Sequence, residues 1–176
     1  MGILRKLFFE NALLPGGWAK NVGVEVRGGV ICAVRSGIQP SGYEHIAGIA
    51  LPGLANVHSH TFQRAMAGLA EIRGPHGDSF WTWREVMFRF LQDLTPDDVE
   101  SIAAQAFLEM LEGGFTAVAE FHYLHHDRDG NPFRNLAELS ERIVSAAAST
   151  GIGLTLLPSL YANGNFGGTA PQQAQR

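Results

Sequence analysis

His58 and His60 stand one residue apart at the end of Leu51-Pro-Gly-Leu-Ala-Asn-Val-His-Ser-His60. A neutral imidazole offers a ring-nitrogen lone pair to a divalent metal. Spacing decides whether two of them share one ion. On a strand, side chains alternate faces with period two, so His58 and His60 project from one side and Ser59 from the other. Leu54, Ala55 and Val57 read as a short buried strand, opened by the Pro52-Gly53 turn. Seven His in this chain give about 0.28 His-x-His pairs by chance. The tripeptide is therefore weak alone, and its place after an apolar run is what makes a metal site of it. Without metal, the same residues are two ordinary surface or core histidines.

Several elements must position this pair. Residues 1–50 carry short β-type runs at Leu7–Glu10, Ala12–Leu14, Val22–Val26 and Val30–Val34, separated by Gly- and Pro-rich turns. They predict part of a small β-sandwich, with Glu10, Glu25, Glu44 and His45 on solvated faces. After His60 comes a long connection to Leu94, a length typical of binding loops. Phe80 to Leu91 has helical spacing, with Trp81, Phe88 and Phe90 expected in the core. Thr95 is an N-cap, Pro96 opens the helix, and Asp97, Asp98 and Glu100 load its first turn. Val99, Ile102, Ala103, Ala106, Phe107, Met110 and Leu111 form its apolar face, and Gly113-Gly114 ends it.

Phe115 to His122 reads as a second strand, so strand, helix and strand predict a parallel βαβ unit. Glu120, His122, Tyr123, His125 and His126 fall at its C-terminal end, the side that faces the active site in a (β/α) barrel. A second metal site over Tyr123 to Asp127 is the weaker reading, since that spacing does not put the imidazoles on one face. Asn135 to Ser149 predicts a further helix with Leu136, Leu139, Ile143, Val144 and Ala147 as its stripe and Gly151 as its cap. Gly153 to Leu157 is a third strand, and Gln172 to Arg176 resembles the start of a helix.

Composition excludes some classes. Hydrophobic residues make up 45% and charged ones 17%, globular values. A net charge of −4 and a pI near 5.9 speak against nucleic-acid binding. One cysteine, Cys32, makes no internal disulfide and fits a reducing, cytoplasmic setting. The N-terminus reads as neither signal peptide nor membrane span.

Leu51 to His60 resembles the first-strand signature of the amidohydrolase superfamily. Within it, His58-Ser-His-Thr-Phe-Gln-Arg-Ala-Met-Ala-Gly68 and Asp78-Ser-Phe-Trp-Thr-Trp-Arg-Glu-Val-Met87 are similar to the formimidoylglutamate deiminases of histidine degradation. The likeness runs on through Phe115–Tyr123 to Leu156–Tyr161. It implies an α/β fold, a (β/α)8 TIM barrel of which residues 51–176 supply about the first three strands, preceded by the β-sandwich part at 1–50. It implies one divalent metal, zinc before iron, held by His58 and His60, and substrate contacts from Gln63, Arg84 and Tyr123. On its own, Gln63 reads as an exposed helix-start residue. Arg84, among Trp rings, is either a rigid carboxylate binder or a plain surface-helix arginine.

The implied reaction is hydrolytic deamination of N-formimino-L-glutamate to N-formyl-L-glutamate and ammonia. A catalytic zinc commonly has three protein ligands, and the resemblance implies a further His and Asp on later strands. The chain is thus expected to be an inactive N-terminal portion of a longer enzyme with a small-molecule substrate, homodimeric at full length as family members often are. Two competing readings are a deaminase of the guanine or triazine type and a non-catalytic metal-binding module.

Overall fold

A computed structural model describes residues 2–71 and 77–171. The helix expected at Gln172–Arg176 lies outside them. The chain divides between Pro52 and Gly53 into two compact units.

In the first unit, β1 (Leu4–Leu14) and β2 (Gly17–Arg27) form an antiparallel hairpin, and β3 (Val30–Arg35) adds to β2. The two runs expected at Leu7–Glu10 and Ala12–Leu14 are one strand, because pairing with β2 continues through Asn11 opposite Lys20. Gly28 and Gly29, both at positive φ, make the tight β2–β3 turn. The short β4 (Glu44–His45) and β5 (Ile49–Ala50) run parallel to β1. Phe8, Ala12 and Val22 are buried. Glu25 is not on a solvated face as expected. It is half-buried, and bonds from Arg35 (2.6 Å) and Tyr43 (3.0 Å) hold its carboxyl below the usual range.

The second unit holds a parallel sheet in the order β6 (Leu54–Ser59), β7 (Phe115–His122), β8 (Gly153–Pro158). A 3-10 turn, Thr61–Met66, follows β6. Three helices intervene: α1 (Phe80–Leu91), α2 (Pro96–Glu112) and α3 (Glu138–Thr150). This is the expected strand-helix alternation of a (β/α) barrel, here three strands wide.

Local chemistry explains the helix starts. Thr95 and Asp98 make a reciprocal capping box at α2, with Pro96 in the first turn. Ser79 and Thr82 do the same at α1. Gly53 enters β6 so close to Thr116 that a Cβ there would collide with the threonine side chain. Gly151, in the left-handed region, caps α3 with a bond to the Ala147 carbonyl.

One apolar core lies among α2, α3 and β7, around Val99, Ala103, Phe107, Val118 and Ile143. A second gathers Phe62, Met66 and Met87, joining the 3-10 turn to α1.

Four expectations are corrected here. The strand at Leu54–Val57 is not buried: Leu54 is 54% and Val57 75% exposed. β6 is an edge strand hydrogen-bonded on one side only, to β7, so nothing described covers its other side. Trp81 is not core but 49% exposed, while Phe88 and Phe90 pack at the margin of the second cluster. The last helix begins at Glu138, not Asn135, since the Asn135 side chain accepts from Ala137 N–H and holds a turn there. Its buried stripe is Leu139, Ile143, Ala146 and Ala147, whereas Leu136 and Val144 face outward.

Candidate active site

His58 and His60 come together at the C-terminal end of β6. Their Nε2 atoms are 3.2 Å apart, with the rings edge to face. His60 Nδ1 lies 2.8 Å from the Phe121 carbonyl on β7. A carbonyl only accepts, so this nitrogen carries the proton and Nε2 keeps its lone pair. The Phe121 ring lies 4.6 Å from that of His58, between centroids, and backs the pair. Two nitrogens on one tetrahedral zinc at about 2.05 Å stand roughly 3.3 Å apart. The observed separation matches that edge, so the pair fits two positions of a divalent metal. Among the described residues no cluster of three or more His, Cys, Asp or Glu could hold a metal ion. The pair would supply two of the three or four ligands such an ion takes.

Beside it opens a cavity of about 380 Å³, lined by His60, Gln63, Arg84 and Tyr123 together with Phe80, Trp83, Met87, Phe121 and Tyr161. Gln63 sits on the 3-10 turn and donates to Tyr123 Oη at 3.0 Å. The Tyr123 hydroxyl points to Met87 Sδ at 3.6 Å. Burial pushes the Tyr123 phenol up despite the Gln63 bond, so it stays protonated as a donor. Arg84, on α1, donates to the Gly164 carbonyl at 2.9 Å. Its guanidinium lies 5.0 Å from the Phe88 ring centroid and 5.8 Å from that of Trp81. Exposed Trp81 thus holds Arg84 rather than the core.

The turn that carries Gln63 is fastened to α2 as well. Arg64 makes a bidentate pair with Glu109 at 2.6 and 2.8 Å, which holds that carboxyl at about 2.

The later histidines do not converge. His125 Nε2 faces the Ser159 carbonyl at 2.8 Å. His122 is buried, its ring edge to face with that of His125 at 5.6 Å. Asp127 accepts from the backbone N–H of Asp129 and Asn131 and closes a turn.

The five residues singled out from the sequence therefore group around one cavity: four line it, and His58 adjoins through His60. Sequence reasoning did not place Tyr161 there. It follows the end of β8 and lies edge to face with Tyr123 at 5.6 Å, so the rule that picked out the residues after β7 would have found it. Nor did it find a role for Glu120, whose bonds cross to the 3-10 turn.

Comparisons with known proteins give the chain a family. Residues 5–46 match the family described as formimidoylglutamate deiminase HutF, N-terminal domain. Formimidoylglutamate deiminase of Pseudomonas aeruginosa is 54% identical over 171 residues, 97% of this chain and 38% of that protein. The crystal structure of an amidohydrolase from Brucella melitensis superposes with a TM-score of 0.89 at 49% identity, again over 97% of this chain and 38% of the other. Atrazine chlorohydrolase of Arthrobacter aurescens, solved with zinc, shares the fold at 19% identity and a TM-score of 0.62, over 86% and 34% of the two chains. The chain thus spans well under half the length of these relatives. Residues 49–161, which include the histidine pair, all three parallel strands and the cavity wall, match the amidohydrolase family, and the chain belongs to it.

Proposed function

We propose that the chain is the N-terminal portion of a metal-dependent deiminase that hydrolyses N-formimino-L-glutamate to N-formyl-L-glutamate and ammonia. Residues 1–50 form the β-rich part and 51–176 the opening strands of the barrel. The observation that carries this reading is the shared cavity: His60, Gln63, Arg84 and Tyr123 line one space, with His58 against His60.

In this reading His58 and His60 hold one divalent metal, zinc. Such an ion supplies Lewis acidity, which makes water nucleophilic near neutral pH. The residues of this chain place the substrate. Arg84 presents a planar fork suited to a carboxylate, stiffened by the Phe88 and Trp81 rings. Gln63 both donates and accepts, which suits an amidine N–H and the oxygen that replaces it. Tyr123 stays neutral and donates a hydrogen bond to a substrate oxygen in place of the weak sulfur contact. Water adds at the formimino carbon, the C–N bond to the terminal nitrogen breaks, and ammonia leaves. Phe80, Trp83 and Tyr161 add aromatic surface to the walls of the cavity. We place the protein in the cytoplasm, where the exposed thiol of Cys32 stays reduced. No helix among the described residues is long and apolar enough to cross a membrane.

The test is ammonia release by the full-length enzyme from N-formimino-L-glutamate and from guanine, with chloride release from a chlorotriazine measured alongside. Turnover of the formimino compound alone is expected. Turnover of a heterocycle in preference to it would replace this substrate assignment.

A further inference from the structure

Glu120 is an unusual residue for its position. It lies on β7 two residues after Val118, which belongs to the apolar core, and is only 1% exposed. A carboxylate in such surroundings carries a large desolvation cost. Its Oε2 is buried without a hydrogen-bond partner among the described residues. Its Oε1 does all the visible work, accepting from Thr61 N–H at 2.6 Å and Thr61 Oγ1 at 2.8 Å.

Thr61 directly follows His60 and opens the 3-10 turn. The N-cap of that turn is His60, which makes no side-chain capping bond. The first N–H of such a turn has no partner within the turn itself. Glu120 supplies one from the neighbouring strand. The next residue of β7, Phe121, accepts from His60 Nδ1 through its carbonyl. Consecutive residues of β7 thus grip consecutive residues at the end of β6. Phe121 orients the His60 ring, and Glu120 anchors the backbone that carries it.

We infer that Glu120 is a positioning residue for the histidine pair: through Thr61 it fixes the end of β6 so that His60 Nε2 stays within bridging distance of His58 Nε2. This rests on the proposed reading of His58 and His60 as metal ligands. Glu120 does not line the cavity, so its effect falls on the metal and not on substrate binding.

The experiment uses the full-length enzyme, stripped of metal and titrated with zinc against a chromophoric chelator, with the visible spectrum of the cobalt(II) form as a second readout. E120A is expected to weaken zinc binding about 10–100-fold, the range seen when groups that orient ligands are removed, and to alter the cobalt bands. E120Q keeps an acceptor oxygen and is expected to restore most of the affinity. T61V, which keeps the backbone N–H, is expected to cost less than E120A, and E120A/T61V no more than E120A alone. The KM for the formimino substrate is expected to stay at its wild-type value while kcat falls. Should E120A not fold, E120D serves, since its shorter carboxylate does not reach Thr61. Wild-type zinc affinity and cobalt bands in a folded E120A or E120D would overturn the inference. A wild-type enzyme that binds no zinc, or an H60A variant that still does, would instead overturn the metal-pair reading beneath it.

Discussion

Two groups of histidines sit at the ends of neighbouring parallel strands, and only one of them has two ring nitrogens at the spacing of neighbouring ligands on one ion. His58 and His60 face each other across 3.2 Å, with the far nitrogen of His60 already committed to a carbonyl. His122 and His125 also meet edge to face, at 5.6 Å between centroids, but no pair of ring nitrogens there is brought as close among the described contacts. His125 is bonded to Ser159, and both His122 Nε2 and His126 Nδ1 are buried without hydrogen-bond partners among the described residues. Residue type is the same in both groups. What differs is the backbone: period-two alternation brings lone pairs together, whereas the chain leaves β7 after His122, and the ring nitrogens of His122, His125 and His126 meet different surroundings.

The sharpest way to break this comparison is to remove one member from each group. In the full-length enzyme, H58A or H60A is expected to lose bound metal and about 10³-fold in kcat/KM, the scale of Lewis-acid stabilisation. H125A is expected to keep the metal. Metal analysis alongside steady-state kinetics checks both, and metal loss on H125A would erase the distinction.

The second effect is on stability. Burial, with a smaller contribution from His125, holds the His122 imidazole at about 4, below its ordinary 6.5. Between those values the unfolded chain binds a proton that the folded chain refuses. Stability therefore falls as pH drops from 6.5 towards 4 and levels off below, by up to about 3 kcal/mol. H122Q is expected to flatten that part of the profile, which urea unfolding across the window would show. An unchanged slope would mean that His122 is not kept neutral by its surroundings.

Next come the proposed substrate contacts. R84K is expected to raise KM about 30-fold with a smaller change in kcat, because an ammonium does not reproduce the planar fork held on Phe88 and Trp81. Y123F is expected to cost about tenfold in kcat/KM, the value of one buried hydrogen bond. Equal losses from R84K on substrates with and without a carboxylate would remove Arg84 from the proposed role.

Much of this arrangement was legible beforehand. Thr95, Pro96 and Asp98 announce α2 because capping is settled within four residues, and Gly151 ends α3 for the same reason. Ser79 and Thr82 carry an equally local signal for α1, which the reading from helical spacing alone passed over. The Asn135 turn shows the limit of periodicity, since a helical pattern continued across residues whose side chains bond their own backbone instead. The exposure of Val57 and Leu136 was not legible, because an apolar residue is buried only where another element arrives to cover it.

From the sequence alone came the order of the longer strands and of the helices, most of the turns that part them, and the expectation that His58 and His60 leave one strand on one side. These depend on φ/ψ preferences and on interactions a few residues apart. Tertiary structure alone decided that His60 meets Phe121, that Thr61 meets Glu120, and that Arg84 meets Gly164. Those partners lie 61, 59 and 80 positions apart along the chain. Their meeting depends on the register of β6 against β7 and on the path of the segment after β8, neither of which any local pattern of residues encodes.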